Sequence, residues 1–231
     1  MTRKKSLTLK TLREQVYDYV REALNRGDLV PGESINLTEI SEKLGVSKTP
    51  LRFALLQLEN EGFVTIIPRR GCVVNVLSLV DIRNIYQIIG ALEASVIISE
   101  FHKFNPNLIE QMRRFNEMAR DGLDEDDFDK YYEYNLKFHN VYLNRTSNAQ
   151  LVRIAHTLKN RLYDFPRKKR FVKEWEVSST GEHDQLIELM AKGDAKAAAD
   201  FVRDVHWSYQ VQEKYIKQYY LEALENVRAA R

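Results

Sequence analysis

GVSKTPLRFALLQLENEG, residues 45–62, combines the signals of a tight turn and of an amphipathic helix. Gly45 suits the positive φ of a helix–turn–helix corner, Ser47 suits the N-cap position, and Pro50 suits the first helical turn. Leucines then recur at helical spacing, which predicts one buried face. Basic and hydroxyl side chains are left at the N-terminal end, the part of a recognition helix that reaches bases and phosphates. The stretch therefore predicts a DNA-binding helix–turn–helix.

Upstream of this stretch, apolar residues at helical spacing predict two more helices. The first covers residues 9–25 and ends before Arg26-Gly27. The second is short, is capped by Asn36 or Thr38, and stops at Gly45.

Downstream, residues 63–67 and 72–76 are two β-rich runs. They are separated by Pro68-Arg69-Arg70-Gly71, which predicts a hairpin with a basic tip. Three helices followed by a basic hairpin make a winged helix–turn–helix, which we assign to residues 1–76.

After Ser78 the strand patterns and most glycines disappear, and the pattern becomes helical. Breaks such as Asn105-Pro106, Pro166 and Gly193-Asp194 separate the helices. We predict helices near residues 79–102, 106–121, 125–146, 148–164, 170–192 and 194–226. The fold is therefore mainly α: a winged helix–turn–helix with a small β-hairpin wing, followed by an all-α bundle over residues 77–231.

The composition is that of an ordinary globular protein, with 44% hydrophobic and 29% charged residues and a net charge of +2. The single cysteine, Cys72, excludes an intramolecular disulfide and suits a reducing compartment. Its apolar neighbours predict a buried strand residue rather than a redox sensor. We find neither an apolar run of about 20 residues nor a signal-peptide pattern, so we expect a cytoplasmic protein without a membrane partner.

The first 76 residues resemble the GntR family of bacterial transcription regulators. The resemblance lies in G-D-L-V-P-G-E-S-I at 27–35, L-T-E-I-S-E-K-L-G-V-S-K-T-P-L-R at 37–52, A-L-L-Q-L-E-N-E-G-F-V at 54–64 and P-R-R-G at 68–71. The remainder is similar to the effector domain of the FadR subgroup. Its motifs are A-L-E at 91–93, N-L-K-F-H at 135–139, S-N-A-Q-L at 147–151, E-H at 182–183 and M-A-K-G-D-A-K-A-A at 190–198.

This resemblance implies which residues contact double-stranded DNA. Those expected at the major groove are Ser47, Lys48, Thr49 and Arg52. Those expected on the backbone or minor groove are Thr38, Arg69, Arg70 and Gly71. The family commonly carries Arg where this chain has Lys48, and a point charge discriminates bases less sharply than a guanidinium fork. One winged domain forms a small interface, so we expect a homodimer that reads an inverted-repeat operator.

The same resemblance implies a metal site in the bundle. Asn135 and His139 are four residues apart on one helix face, and His183 and His206 lie further along the chain. In the metal-binding FadR-type subgroup an Asp and three His hold a divalent ion. Zinc or nickel suits three imidazoles and leaves positions for water or an effector carboxylate. Asn135 stands where the subgroup has Asp, so we expect weaker binding or a site completed by an anionic effector.

The effector is the least determined part of the interpretation. The subgroup often has an Arg four residues before the Glu of its L-E motif, and this chain has Ile89 there. A small organic acid is one candidate effector, bound without that arginine. Tyr131, Tyr132 and Tyr134 are expected to pack in the bundle rather than contact ligand.

Three functions remain open at this point. The leading one is a dimeric repressor whose operator affinity is controlled by a small effector together with a divalent metal. The alternative is a constitutive dimeric DNA-binding protein with a structural or vestigial metal site. A third, a zinc hydrolase, is disfavoured because no HExxH-like spacing places a general base beside the histidines and the winged domain would be superfluous. We therefore predict that the protein is not an enzyme.

Overall fold

The structure is a computed structural model that describes residues 10–163 and 172–229, with side chains up to residue 220. The described chain forms two compact units with a boundary between Val76 and Leu77. The helix break predicted at Pro166 lies outside the described residues. Within them, no helix is long and apolar enough to cross a membrane. The mainly α fold with a small β wing, predicted from the sequence, is confirmed.

The first unit contains three helices whose ends follow local capping rules. Thr11 and Glu14 form a capping box at the start of the first helix, and the Asn36 side chain accepts from the Glu39 N–H at the start of the second. Of the two predicted caps Asn36 is therefore the one used, and Thr38 lies inside the helix. Gly45 ends the second helix with φ +61°. The helices are α1 (Leu12–Arg26), α2 (Leu37–Leu44) and α3 (Lys48–Asn60).

The predicted hairpin is present and belongs to a three-stranded antiparallel sheet with strand order β1-β3-β2. The strands are β1 (Ser34–Ile35), β2 (Val64–Ile67) and β3 (Gly71–Val74). Two details differ from the prediction. Strand β1 was missed because two residues carry no alternation pattern, and Gly71 belongs to β3 instead of the turn.

The core of the first unit lies between α1, α3 and the sheet. Cys72 is buried there as predicted, and burial raises the pKa of its thiol to about 11. The thiol therefore stays protonated, which agrees with a packing role. The other large buried side chains include Val16, Val20, Leu51, Leu55, Leu58, Phe63 and Val74.

The second unit is entirely helical in its described residues. Ser78 and Asp81 form a capping box where its first helix begins. Asp126, with φ +54°, lies in the turn before the helix Phe128–Leu143, and Asp127 caps that helix, which therefore begins later than the predicted residue 125. The helices are α4 (Leu79–Glu100), α5 (Pro106–Asp124), α6 (Phe128–Leu143), α7 (Ala149–Tyr163), α8 (Lys173–Ala191), α9 (Ala195–Phe201) and α10 (Tyr209–Ala229). A 3-10 turn, Phe101–Lys103, follows α4.

The helix predicted over residues 194–226 is wrong as a single helix. A π-helical turn, Val202–His206, follows α9, and the Trp207 N–H donates to the Val202 carbonyl five residues earlier at 2.9 Å. The wider turn lets two consecutive side chains, His206 and Trp207, face the interior together. Hydrophobic periodicity could not predict this because a regular helix turns neighbouring side chains about 100° apart.

The approach of α5 to the start of α6 depends on Gly122, which predicts a stability difference between two glycine substitutions. A Cβ at Gly122 would meet the Tyr131 backbone nitrogen at 2.6 Å. Gly122→Ala should destabilise the protein by about 1–3 kcal/mol through overpacking. Gly181, inside α8, has open space around it, so Gly181→Ala should be neutral or stabilise by up to about 1 kcal/mol. Urea unfolding followed by circular dichroism measures both, and equal effects would contradict the prediction.

Candidate metal centre and DNA-binding surface

Three histidines meet inside the second unit. His139 comes from α6, His183 from α8 and His206 from the π turn, and one nitrogen of each lies within 4.8 Å of the other two. All three residues are buried. Asn135 is buried as well and lies one turn before His139 on the same helix. The structure therefore brings together the three histidines that the sequence singled out, with Asn135 beside them on α6.

Carboxylates hold the Nδ1 atoms of two of these histidines. The Nδ1 of His139 is 2.6 Å from the Tyr142 hydroxyl oxygen and 3.2 Å from the Glu93 carboxylate oxygen to which that hydroxyl donates. The Nδ1 of His206 is 2.7 Å from a carboxylate oxygen of Glu182. Because a carboxylate can only accept here, both Nδ1 atoms carry the proton and donate. In the neutral form of each ring, Nε2 then carries the lone pair.

An amide holds the third histidine in the same way. The Nδ1 of His183 donates to the side-chain oxygen of Asn116 at 2.9 Å. The orientation of that amide is fixed because its NH₂ group donates to the Thr180 carbonyl at 2.9 Å and to Asp184 at 2.8 Å. The Phe138 ring stacks on the His183 ring with centroids 3.9 Å apart and further restricts its plane.

The atoms that face one another at this centre fit a metal cation. The Nε2 atoms of His139 and His206 are 3.3 Å apart, and two lone pairs at that distance repel unless a cation lies between them. Nitrogen ligands about 2.0–2.1 Å from one tetrahedral ion lie about 3.4 Å apart. The Nε2 of His183 and the Oδ1 of Asn135 are buried without a hydrogen-bond partner among the described residues. The three converging imidazole nitrogens fit a divalent ion, and Asn135, one turn before His139, is the candidate for a fourth ligand.

Glu93 connects this centre to a buried network. Its carboxylate forms an ion pair with Lys159, and both side chains are at most 1% exposed. It also accepts from the Tyr142 hydroxyl at 2.5 Å and from the Trp207 indole N–H at 2.8 Å. Burial by itself would raise the pKa of Glu93, but the positive charge of Lys159 and the hydrogen bond from His139 outweigh it and hold that pKa well below its usual value. Glu93 is therefore an ionised anchor.

The imidazoles of His139 and His183 are held in the neutral form. Burial lowers the pKa of His139 to about 3, and the positive charge of Lys159 acts in the same direction against the opposing effect of Glu93. Burial also lowers the pKa of His183 well below its usual value. Neutral imidazoles are the metal-binding form, so protons do not compete for these two nitrogens near neutral pH.

Sequence reasoning assigned no role to the residues that orient the histidines. Glu93 and Glu182 lie in the A-L-E and E-H motifs of the family resemblance, and both contact histidine Nδ1 atoms. A signal existed for Glu93, since it is the one charged residue in an apolar stretch of α4, from Ile85 to Ile98. Asn116 and Lys159 sit among other polar residues of amphipathic helices and carry no such signal.

The predicted DNA-contacting residues lie on the surface of the first unit. Ser47 occupies the N-cap position of α3, but its hydroxyl makes no capping hydrogen bond, contrary to a purely structural role. The exposed residues are Thr38 on α2, Ser47, Lys48, Thr49 and Arg52 at the start of α3, and Arg69 and Arg70 at the wing tip. None of these basic side chains forms an ion pair with a residue of the described part of the chain.

The wing tip has a defined backbone. The Arg70 N–H donates to the Ile67 carbonyl at 3.0 Å, which closes a four-residue turn. Pro68 at the second position and Arg69 with φ +63° at the third are features of a type II turn. Gly71 follows with φ +106°. The turn therefore presents two adjacent guanidinium groups at the end of the hairpin.

Two family profiles match the chain. The profile described as "Bacterial regulatory proteins, gntR family" matches residues 12–74, and the profile described as "FCD domain" matches residues 84–205, over half of the chain.

Relatives and solved structures agree with these matches. The HTH-type transcriptional regulator YdhC of Bacillus subtilis is 26% identical over 192 residues, which are 81% of this chain and 84% of that protein. The HTH-type transcriptional repressor RspR of Escherichia coli K12 is 26% identical over 138 residues, 60% of each chain. The structure of E. coli McbR/YncC has a TM-score of 0.71 at 18% identity and covers 93% of this chain and 99% of that one. This last similarity concerns the fold alone.

The histidine geometry predicts a graded loss of metal affinity. His183→Ala removes one converging lone pair and should weaken zinc or nickel binding by at least about a hundredfold. Asn116→Ala leaves the lone pair but frees the ring, and should weaken binding by about ten- to a hundredfold. Isothermal titration calorimetry of the purified protein, stripped with chelator, measures both affinities.

His156→Ala is the matched control for this series. His156 is half-buried and its Nε2 lies 2.9 Å from the Asn140 side-chain oxygen, outside the three-histidine group. This variant should keep the affinity of the unaltered protein. An equal loss in His156→Ala and His183→Ala would contradict the assignment.

Proposed function

The chain belongs to the GntR family of DNA-binding transcription regulators and carries an FCD effector domain, and on that premise we propose that it is a metal-dependent, effector-controlled repressor. A homodimer binds an inverted-repeat operator through its first unit, and the second unit binds a divalent ion and a small anionic effector. This proposal rests on one combination of features. The cations on α3 and the wing are exposed and form no ion pair among the described residues, and the histidine nitrogens converge in the helical unit.

On the DNA side the roles follow from side-chain chemistry. Arg52 reads guanine O6 and N7 or grips a phosphate with its fork, and Ser47 and Thr49 bond phosphate oxygens near the helix N-terminus. Lys48 adds a point charge. The guanidinium groups of the wing bind backbone or minor groove, where unpaired cations replace condensed counterions. Thr38 and Gly71 complete the contact surface.

Dimerisation and repression are proposed on separate grounds. A single winged domain buries little surface, so operator affinity requires two copies on spaced half-sites. The helical unit supplies the dimer contact. Repression is supported by the similarity to RspR, which is named as a repressor. A protein that binds chromosomal DNA in bacteria works in the cytoplasm, where we place it.

In the helical unit Asn135, His139, His183 and His206 would hold the ion. Bound there, the metal would act as a Lewis acid for an anionic oxygen of the effector. The protein's own residues position it: Glu93, Asn116 and Glu182 fix the rings through their Nδ1 protons. We propose a binding role and not catalysis, because both carboxylates point at Nδ1 atoms instead of at a position where they could activate water.

The charge balance of the site favours an anionic effector. All four proposed ligands are neutral, and Glu93 is already compensated by Lys159. Glu182 contacts His206 and Gln212 but no lysine or arginine in the described residues. The Glu182 carboxylate would offset one of the two positive charges of the ion. An effector carboxylate would supply the second negative charge. Ile89 is fully buried and offers no charge, so that carboxylate would be bound mainly by the metal.

The alternative keeps the same sites with a different role for the metal. In a constitutive DNA-binding protein the ion would only stabilise the helical unit, an alternative favoured by the buried Ile89 at the position where the subgroup grips a carboxylate. Operator affinity measured with metal, with chelator and with a panel of organic acids separates the two. Unchanged affinity across the panel would support the constitutive protein.

DNA binding is tested by selecting a preferred site from random duplexes and by changing single cations. Arg52→Ala should weaken binding to the selected site by about 1–3 kcal/mol and relax preference at one base pair. Arg70→Ala should weaken binding to all sequences similarly. It should also reduce the steepness of log affinity against log salt concentration by about 0.9.

Arg114→Ala is the control, since it removes one exposed positive charge from the helical unit and should change neither quantity. Fluorescence anisotropy at several salt concentrations measures all three variants. A protein that selects no site would contradict the proposed function.

Asn135→Asp tests the proposed ligand on α6. A carboxylate adds the negative charge that the amide lacks, so metal affinity should rise by about ten- to a hundredfold. The gap between melting temperatures with metal and with chelator should widen accordingly. Asn144→Asp adds the same charge at the exposed C-terminal end of α6 and should leave both quantities unchanged. Unaltered affinity in Asn135→Asp would exclude this residue from the ligand set.

A further inference from the structure

The outward face of α3 is apolar at its centre. Leu51, Leu55 and Leu58 are buried in the core of the first unit. On the opposite face, Phe53 is 55% exposed and Leu56 is 37% exposed. Phe53 lies four residues after Thr49 and three before Leu56, so the three side chains share one stripe of the helix.

This stripe lies within the surface proposed to enter the major groove. Phe53 follows Arg52 directly and belongs to the second turn of α3, close to the N-terminal end whose side chains contact base edges in helix–turn–helix proteins. Lys48 and Arg52 lie along one side of it, and neither forms an ion pair within the described residues. Cations beside an apolar stripe complement a groove with phosphates at its edge and base edges at its floor.

We propose that Phe53, supported by Leu56, contacts the 5-methyl group of a thymine in each half-site and thereby specifies an A·T pair next to the base read by Arg52. This inference rests on the proposed function, because it names a specificity-determining residue of the same DNA surface. Thymine is the one base that presents a methyl group in the major groove. A phenyl ring has no hydrogen-bonding atom, so an apolar contact is the readout available to it.

The chemistry distinguishes Phe53 from its neighbours on α3. Thr49 can bond phosphate on any sequence and Arg52 can bond a guanine edge or a phosphate, whereas Phe53 gains only where an apolar group replaces water. A polar base edge facing Phe53 would lose its hydrated partners without compensation. Phe53 therefore acts both by attracting thymine and by disfavouring other bases at that position.

Uracil substitution tests this contact at the level of one methyl group. After the preferred operator is selected from random duplexes, each thymine is replaced in turn by deoxyuridine, which lacks only the 5-methyl group. We expect one thymine per half-site at which the replacement weakens binding about fourfold, the factor associated with one buried methyl group. In Phe53→Ala the thymine operator should bind about tenfold more weakly, as expected for loss of a buried aromatic contact. The same variant should no longer distinguish thymine from uracil at that position.

Two variants complete the experiment. Phe53→Leu retains an apolar side chain and should keep part of the thymine preference. Leu12→Ala removes a side chain of similar exposure, 53%, on α1 and should change neither affinity nor preference. Circular dichroism checks that the variants fold, which is expected because both side chains are exposed.

The outcomes separate this inference from the function on which it rests. If the protein selects an operator but no uracil substitution changes affinity, or if Phe53→Ala loses affinity equally for thymine and uracil, the contact is overturned and the function stands. Loss of self-association in Phe53→Ala, with thymine preference unchanged, would assign Phe53 to a protein interface and also overturn it. Failure to select any operator overturns the proposed function, and this inference with it.

Discussion

Three buried hydrogen bonds from histidine Nδ1 atoms are the constraint on which the helical unit depends. One joins α4 to α6, one joins α5 to α8, and one joins α8 to the π turn. A buried donor or acceptor left without a partner costs about 1–3 kcal/mol, so these helices can pack in few other ways. The same bonds turn three Nε2 lone pairs toward one point. Packing and ligand chemistry are therefore set by the same contacts.

Charged side chains are paired and buried at the centre of the helical unit, and exposed on the DNA surface of the first unit. In the helical unit Glu93 and Lys159 are paired at full burial, an arrangement that contributes little net stability but would cost about 3–5 kcal/mol if one partner were removed. In the first unit the basic side chains of α3 and the wing are exposed and make no ion pair among the described residues. Paired charges give a fixed interior geometry, whereas unpaired charges attract a polyanion.

The side chains of the proposed DNA surface have two separate roles. Cations at the start of α3 and at the wing give affinity that is independent of sequence and sensitive to salt, while Arg52 and the apolar centre at Phe53 carry base preference. The Pro68 ring and the hydrogen bond from the Arg70 N–H to the Ile67 carbonyl restrict the backbone of the wing tip. The ordering cost of that backbone at binding is lowered accordingly.

The sequence by itself determined the elements that obey local rules. Gly45, Asn36 and the leucine spacing of α3 fixed the helix–turn–helix, and Pro68 with its neighbours fixed the hairpin, because capping, turn and periodicity preferences act over a few residues. It also singled out the three histidines, whose role as ligands stays a prediction. Only the tertiary structure decided the partners of those histidines. Asn116 and Glu93 lie 67 and 46 residues from the rings they orient, and the π turn accompanies the burial of two adjacent side chains, His206 and Trp207. Such choices depend on which helices pack together, and no local pattern of residues carries that information.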